Sequence, residues 1–177
     1  SVLLEQEPAS DIQLGEVAWL SFAFTIGGLL TDAYVVSDLD GDGREDLAVP
    51  DYFYSDTDPE QGRVLFVRSS TVEGVAEGAT VVLDDIWDFR IIGDAAFGWL
   101  TLLSRRFDMN GDQIDDLLLV AQENDENGGQ PGVMGDGAGK YYVFSGTTFR
   151  DLPLKTSLSA SEAAVTFLGE KNEIGGG

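Results

Sequence analysis

The sequence predicts an all-β protein, and three features of the chain carry this prediction. Short segments rich in β-branched and aromatic residues recur along it, separated by turns rich in Gly and Asp. Two of these segments, "DLAV" at 46–49 and "DLLLV" at 116–120, are almost wholly apolar after their first residue, as strands covered on both faces are. Helix signals are weak, and the best candidate, "SASEAAV" at 159–165, is better explained as a turn before a strand.

The predicted strands fall into two series of four. The first series is Asp32–Ser37, Leu47–Pro50, Arg63–Arg68 and Thr80–Leu83, and the second is Trp99–Ser104, Leu117–Ala121, Lys140–Ser145 and Ala164–Leu168. Phe89–Ile92 is either an additional strand or the outer strand of the first series. Long loops at 51–61 and 122–138 separate the second and third strands, and loops of this length often carry function. In the first loop, Tyr52 and Phe53 either contact a protein or glycan ligand or pack over a sheet edge.

The charge balance restricts the classes of partner. The chain has 177 residues, with 32 acidic and 10 basic side chains and a formal net charge of −22 at pH 7. Such a surface repels nucleic acids and anionic lipids and attracts cations. No apolar run is long enough to cross a bilayer, so we expect no membrane insertion. The chain contains neither Cys nor His, which excludes thiol chemistry, disulfides, His-dependent triads and ordinary zinc sites.

The densest acidic segment, "SDLDGDGREDLAVP" at 37–50, predicts a calcium site. Ca²⁺ takes about six to eight oxygen ligands, and alternate residues of a curled loop converge on one point. Glycines at loop positions 4 and 6 permit the positive φ angles that such a curl needs. The predicted ligands are the carboxylates at positions 1, 3, 5 and 9 and the backbone carbonyl at position 7, namely Asp38, Asp40, Asp42, Asp46 and Arg44.

This loop is not an EF-hand. An EF-hand needs a bidentate Glu at position 12 and a helix after the loop, whereas position 12 is Val49 and a short strand ending at Pro50 follows. The alternative is an acidic turn that binds no ion. Carboxylates this close repel one another unless a cation lies among them, so we favour the calcium interpretation.

A second acidic loop, "FDMNGDQIDDLLLVA" at 107–121, repeats the first one 70 residues further along the chain. Asn110 has no charge where the first loop has an Asp, and Gln113 replaces a glycine at a position that requires a left-handed conformation. We therefore expect two Ca²⁺ sites, the first stronger than the second. The predicted ligands of the second site are Asp108, Asn110, Asp112, the backbone carbonyl of Ile114, and Asp116. The basic pair before this loop, Arg105-Arg106, is expected to pair with nearby carboxylates.

The repetition extends beyond the two loops. A Gly-containing segment precedes each loop, a Gly followed by an alternating strand comes after it, and a strand ending in Gly-Asp or Gly-Glu occurs three times. The segments that precede the loops are "FTIGG" at 24–28 and "AAFGW" at 95–99. The strands that come after the loops are "GRVLFVRS" at 62–69 and "GKYYVFSG" at 139–146. The strands that end in Gly-Asp or Gly-Glu are "IQLGE" at 12–16, "RIIGD" at 90–94 and "TFLGE" at 166–170.

This order of Phe-Gly, strand, DxDGDGxxDLxV loop and Gly-aromatic strand resembles the FG-GAP repeat of integrin-α-type β-propellers. The first copy departs from the pattern with Ile26-Gly27 in place of Phe-Gly. The resemblance implies a blade of four antiparallel strands for each repeat, with calcium in the turn between the first two strands. It divides the chain into a segment at 1–23 that completes a preceding blade, repeats at 24–94 and 95–170, and the start of a third repeat at 171–177.

Two repeats and a fraction of a third make an incomplete propeller, since closure takes about four to eight blades. The missing partners are either further blades of a longer chain or other copies of this chain. Head-to-tail copies that do not close into a ring would form a filament.

Two functional classes remain. The first is a calcium-stabilised extracellular module, because calcium is plentiful outside cells; it would act in adhesion to a protein or glycan, or as a building block of a surface assembly. The second is the non-catalytic accessory domain of a secreted polysaccharide- or lipid-degrading enzyme. We do not expect catalysis within this chain, because the acidic residues that stand out are explained as metal ligands.

Overall fold

The computed structural model describes residues 20–23, 33–104, 106–121 and 139–169, and this part of the chain is mostly β-strand. The predicted all-β class is confirmed. The strands are β1 (Leu20–Ala23), β2 (Tyr34–Val36), β3 (Asp46–Asp51), β4 (Arg63–Val67), β5 (Ala79–Val82), β6 (Phe89–Ile92), β7 (Thr101–Ser104), β8 (Leu117–Ala121), β9 (Lys140–Phe144), β10 (Thr156–Ser159) and β11 (Val165–Leu168). The helices are short: α1 (Ser69–Glu73), α2 (Leu83–Ile86) and the 3₁₀ turns η1 (Gly146–Phe149) and η2 (Ala160–Glu162). Within these residues no helix could span a membrane.

Two sheets form the body of the structure. The first has the order β10-β6-β4-β3-β2, in which β2, β3, β4 and β6 are antiparallel neighbours and β10 runs parallel to β6. The second has the order β11-β9-β8-β7 and is antiparallel throughout. Each sheet therefore contains four antiparallel strands in chain order, as the two repeats predict.

The fourth antiparallel strand of the first sheet is Phe89–Ile92, which confirms one of the two alternatives for this segment, and the prediction of Thr80–Leu83 in this place is wrong. A strand does form at Ala79–Val82, but it pairs in parallel with β1 in a separate two-stranded sheet. The reason is burial: Leu83, at the end of the predicted strand, turns into α2 and lies fully buried against the first sheet. The turn predicted before the last strand is confirmed as η2, with Ser159 and Glu162 forming its capping box.

The predicted loop at 51–61 is confirmed except at its first residue, because β3 continues to Asp51. The predicted loop at 122–138 lies outside the described residues. Phe53 is 48% exposed, and Tyr52 is half-buried. Trp99, the first residue of a predicted strand, is also half-buried, and its indole Nε1 donates to Glu60 Oε2 at 2.9 Å. Both Phe97 and Trp99 have positive φ angles, 54° and 46°. The "AAFGW" segment is thus a compact turn that packs on the 51–61 loop.

The main core lies between the two sheets. The front face of the first sheet, which carries Ala48, Val64 and Phe66, packs on the second sheet. Phe149, from the second repeat, lies with its ring centroid 5.2 Å from that of Phe89 and 6.3 Å from that of Phe66. Burial of these rings removes a large apolar area from water and joins the two repeats.

The two sheets stack in the same orientation, so that the front face of the first sheet packs on the back face of the second. The back face of the first sheet carries Leu65, and the equivalent residue of the second sheet is Tyr142, because β3–β4 and β8–β9 share the same register. Leu65 belongs to a cluster on the far side of the first sheet, whereas Tyr142 lies in the core between the sheets. The front face of the second sheet is consequently not covered by the first sheet. On this face, the exposed fractions of Tyr141, Val165 and Phe167 are 42%, 42% and 46%.

The second repeat also reaches across to the first through polar contacts. Arg90 of β6 donates from Nε to Ser157 Oγ of β10 at 2.7 Å. Lys155 donates from Nζ to the carbonyl of Asp85 at 2.8 Å, and its ammonium lies 4.6 Å from the centroid of the Trp87 ring. The segment at 155–159 therefore belongs to the second repeat in sequence and to the first sheet in space.

Candidate metal centre

The first acidic loop connects β2 to β3, and its carboxylates bind its own backbone. Asp38 accepts hydrogen bonds from the N–H groups of Gly41, Asp42 and Gly43 at 2.7, 3.0 and 2.8 Å. The N–H of Asp42 also lies 3.1 Å from Asp40 Oδ1, and Asp42 Oδ1 accepts from the N–H of Arg44 at 2.9 Å. Each acid at an odd position thereby fixes the residues that follow it, which curls the loop.

This curl brings three of the predicted ligands together. Asp38, Asp40 and Asp42 each offer a carboxylate oxygen, and these oxygens lie within 4.8 Å of one another. Gly41 and Gly43 have φ angles of 83° and 89°, in the left-handed region that a side chain disfavours. The glycines are therefore a condition of the convergence, as the sequence predicts.

Asp46 plays a different part from the three converging acids. Its carboxylate is 3% exposed and bridges two segments: Oδ2 accepts from the N–H of Leu39 at 3.0 Å, and Oδ1 accepts from the N–H of Ser69 at 2.9 Å. Burial raises the pKa of Asp46 to about 6, and the nearby charges of Asp40 and Asp38 contribute to the same shift. Asp46 thus ties the start of the loop to the end of β4, and it does not belong to the group of converging oxygens.

Arginine side chains surround the first loop. Arg44 contacts Asp42 Oδ2 at 2.9 Å and also pairs with Glu73, and the hydrogen bond from Arg44 lowers the pKa of Asp42. Arg68 Nε lies 3.5 Å from Asp40 Oδ2, and its Nη2 donates to the carbonyl of Leu152 at 2.9 Å. These guanidinium groups offset part of the negative charge of the loop. The prediction for Arg44 concerned its backbone carbonyl only, and the role of its side chain was missed.

The second loop has the same pattern of hydrogen bonds. Asp108 accepts from the N–H groups of Gly111 and Gln113 at 2.7 and 2.9 Å. Asn110 Oδ1 accepts from the N–H of Asp112 at 2.8 Å, and Asp112 Oδ1 accepts from the N–H of Ile114 at 2.8 Å. The two loops are therefore copies in conformation as well as in sequence. Gln113 adopts a φ of 67°, the left-handed conformation that was expected to disfavour this loop.

Asp116 repeats the role of Asp46. It is 2% exposed, and its oxygens accept from the N–H groups of Met109 at 2.9 Å and Gly146 at 3.0 Å. Gly146 packs so tightly on the loop that an added Cβ would lie 2.1 Å from the carbonyl oxygen of Asp115. Position 9 of each loop therefore anchors the loop to the second residue after the third strand.

The two loops are joined through an ion pair between Arg106 and Glu45. The prediction that the basic pair finds carboxylate partners is thus confirmed for Arg106, and Arg105 lies outside the described residues.

The donor set suits a hard divalent cation. Positions 1, 3 and 5 of the first loop supply three converging carboxylates. The same positions of the second loop carry two Asp residues and one Asn. Oxygen-only sets of this kind are typical of Ca²⁺ sites. The residues that the sequence could not identify are Arg68 and Ser69, because both come from a strand end distant along the chain.

Neither the protein-family models nor the curated proteins contain a match for this chain.

Proposed function

We propose that this chain is a calcium-stabilised, extracellular β-propeller-type module of the FG-GAP kind. The observation that carries the proposal is the convergence of Asp38, Asp40 and Asp42 in a loop already curled by its own backbone hydrogen bonds. The recurrence of the same curl at 108–116 supports it. A loop with this shape can receive a cation without a large rearrangement of the backbone.

Calcium would act as a structural ion. Asp38, Asp40 and Asp42 would hold it in the first loop, and Asp108, Asn110 and Asp112 in the second. The ion supplies positive charge that removes the repulsion among these carboxylates, so the free energy of binding adds to that of folding. Asp46 and Asp116 would keep each loop attached to the third strand of its sheet. We retain the expectation that the first site, which has one more carboxylate, is the stronger.

The stacking of the sheets supports the propeller-type arrangement. Two sheets of equivalent strands pack front on back, which is the relation that repeats around a propeller or along an open array. The exposed apolar residues Tyr141, Val165 and Phe167 on the front of the second sheet suit a further unit of the same kind.

We assign the module to adhesion or to the construction of an extracellular assembly, with no catalytic role of its own. Calcium at millimolar concentration outside cells would keep both loops filled, whereas cytosolic calcium would leave their carboxylates unneutralised. Hydrolysis of a polysaccharide by the purified chain would contradict this assignment.

The test is thermal unfolding in Ca²⁺, in Mg²⁺ and in EGTA. At a calcium concentration about 100-fold above Kd, each filled site stabilises by about 2.7 kcal/mol, which corresponds to a rise in Tm of about 5–10 °C per site for a chain of this size. The double variant Asp40→Asn/Asp42→Asn should lose the part of the rise that the first site contributes and keep the part that the second site contributes. The matched control is Asp56→Asn/Asp85→Asn, which changes the net charge equally at exposed positions and should retain the whole rise. A wild-type Tm that is the same in Ca²⁺ and in EGTA would refute structural calcium.

A further inference from the structure

The pairing of β10 with β6 shows how one repeat extends the sheet of the repeat before it. β6 is the fourth antiparallel strand of the first sheet, and β10 comes from the segment between the third and fourth strands of the second repeat. The two strands are parallel, with Arg90 opposite Ser157, and the side chains of this pair are hydrogen-bonded at 2.7 Å.

β5 is the equivalent of β10 in the first repeat, because it lies between the third and fourth strands and is followed by a short helix. Its parallel partner is β1, with Ser21 opposite Thr80. β1 therefore takes toward β5 the place that β6 takes toward β10. The two strands differ in their place relative to the Gly-acid pair. β6 comes directly before Gly93-Asp94, whereas β1 comes after the corresponding pair, Gly15-Glu16. β1 thus pairs with β5 as a fourth strand pairs with β10, although it is not the segment that leads into the Gly-Glu pair.

β11 is the fourth antiparallel strand of the second sheet, and it has no such partner among the described residues. It runs into Gly169-Glu170 as β6 runs into Gly93-Asp94, and all four of its residues are exposed. Within the described part of the chain, no strand lies on its outer edge. Its sequence also matches β1, with an apolar residue, a hydroxyl residue, a phenylalanine and an apolar residue in each. The matched pairs are Val165 with Leu20, Thr166 with Ser21, Phe167 with Phe22, and Leu168 with Ala23.

We propose that copies of this chain join by strand exchange, in which β11 of one copy replaces β1 on β5 of the next. The exchange rests on the proposed repeat module and specifies how its head-to-tail contact is made. Main-chain hydrogen bonds would form along the free edge of β11, and the register would place Thr166 opposite Thr80, where Ser21 now lies. The contact is heterologous, so each added copy presents the same free edge again.

The absence of cysteine from the sequence allows the register to be tested by disulfide trapping. Thr80→Cys and Thr166→Cys are made as separate single variants, mixed in Ca²⁺ and oxidised. Neighbouring strands lie about 4.8 Å apart, which is within the Cα–Cα range of a disulfide. The expected product is a disulfide-linked dimer that contains one copy of each variant, identified by mass after different isotope labelling.

The matched control is Phe167→Cys, which moves the thiol one residue along β11 and to the opposite face of the strand. Mixed with Thr80→Cys, it should give roughly ten-fold less linked dimer, because its Cβ points away from position 80. Equal yields from Thr166→Cys and Phe167→Cys would overturn the proposed register. No linked dimer with either would overturn the exchange itself.

A second variant separates exchange from other modes of association. Ser21→Cys/Thr80→Cys, once oxidised, locks β1 on β5 within one chain. In sedimentation velocity, the reduced form should assemble in Ca²⁺ as the wild type does, and the oxidised form should remain a monomer. Assembly of the locked form, or a monomeric wild type, would refute the proposal. Neither result bears on the Ca²⁺ dependence of Tm, so failure of the exchange is distinguishable from failure of the structural calcium sites.

Discussion

The replacement Gly146→Ala tests whether the anchor between the second loop and β9 contributes to stability. Gly146 donates its N–H to the buried Asp116 at 3.0 Å, and an added Cβ would lie 2.1 Å from the carbonyl oxygen of Asp115 and 2.6 Å from Cγ2 of Ile114. Because the first of these atoms belongs to the backbone, a rotamer change cannot relieve the contact. The loop must move away by about 1 Å, which breaks the hydrogen bond to Asp116.

The size of the effect follows from these two losses. Overpacking costs about 1–3 kcal/mol, and a buried acceptor left without its donor costs about 1–3 kcal/mol more. We therefore expect Gly146→Ala to reduce the free energy of unfolding by about 2–6 kcal/mol and to lower Tm by at least about 5 °C. The measurement is urea unfolding of both proteins in saturating Ca²⁺, with the far-UV spectrum confirming that the variant is folded.

The first repeat provides the matched control. Ser69 occupies the position equivalent to Gly146, and its N–H binds Asp46 as that of Gly146 binds Asp116. Ser69→Ala keeps this N–H and removes only a 3.2 Å hydrogen bond to the exposed Asp42, so its cost should stay below about 1 kcal/mol. If Gly146→Ala proves no more destabilising than Ser69→Ala, the proposed role of the anchor is wrong.

Three further predictions concern the loops and the core. Gln113→Gly should raise the free energy of unfolding by about 0.5–1 kcal/mol, since it relieves a left-handed residue at φ 67°; an unchanged urea midpoint would contradict this. Arg68→Gln should lower the Kd of the first loop for Ca²⁺ about five-fold, because it removes a positive charge 3.5 Å from Asp40; calorimetric titration measures it, and a weaker site would contradict it. Phe149→Ala should cost about 3–5 kcal/mol in urea unfolding, as this fully buried ring fills the core between the sheets; a cost below 1 kcal/mol would show that the sheets do not depend on it.

Much of the fold could be predicted from local sequence. All the described strands except β1 and β10 lie within about two residues of predicted strands, because β-propensity and Gly/Asp turns are properties of short segments. The conformation of the loops could also be predicted, since alternating acids and two positive-φ positions define the curl of either loop. The left-handed Gln113 was identified from its place in the repeat alone.

The pairing of strands could not be predicted in the same way. Thr80–Leu83 and Phe89–Ile92 are both short apolar runs, and local propensity does not decide which one completes the first sheet. The burial of Leu83 on the back of that sheet decides it. The parallel strand β10 was not expected as a strand, because only its tertiary partner β6 makes the polar segment "TSLS" extended.

Only part of the candidate site could likewise be predicted from the sequence. Spacing singled out the acids at the odd positions of the two loops, but spacing alone does not separate the converging acids of the first loop from the buried anchors Asp46 and Asp116. That distinction depends on the N–H groups of Ser69 and Gly146, which follow the third strands at 23 and 30 residues from their acceptors.

The crossing of β10 into the first sheet has a consequence for biosynthesis. Thr156 pairs with Phe89, and the ribosome must add 67 residues between the two. At about 5–20 residues per second, this interval lasts roughly 3–13 s, during which the outer edge of β6 has no partner. A nascent chain of this protein therefore exposes an unpaired strand edge, and neighbouring ribosomes on one messenger would bring such edges close together. Slow codons between 92 and 156 should for this reason increase the fraction that aggregates during translation.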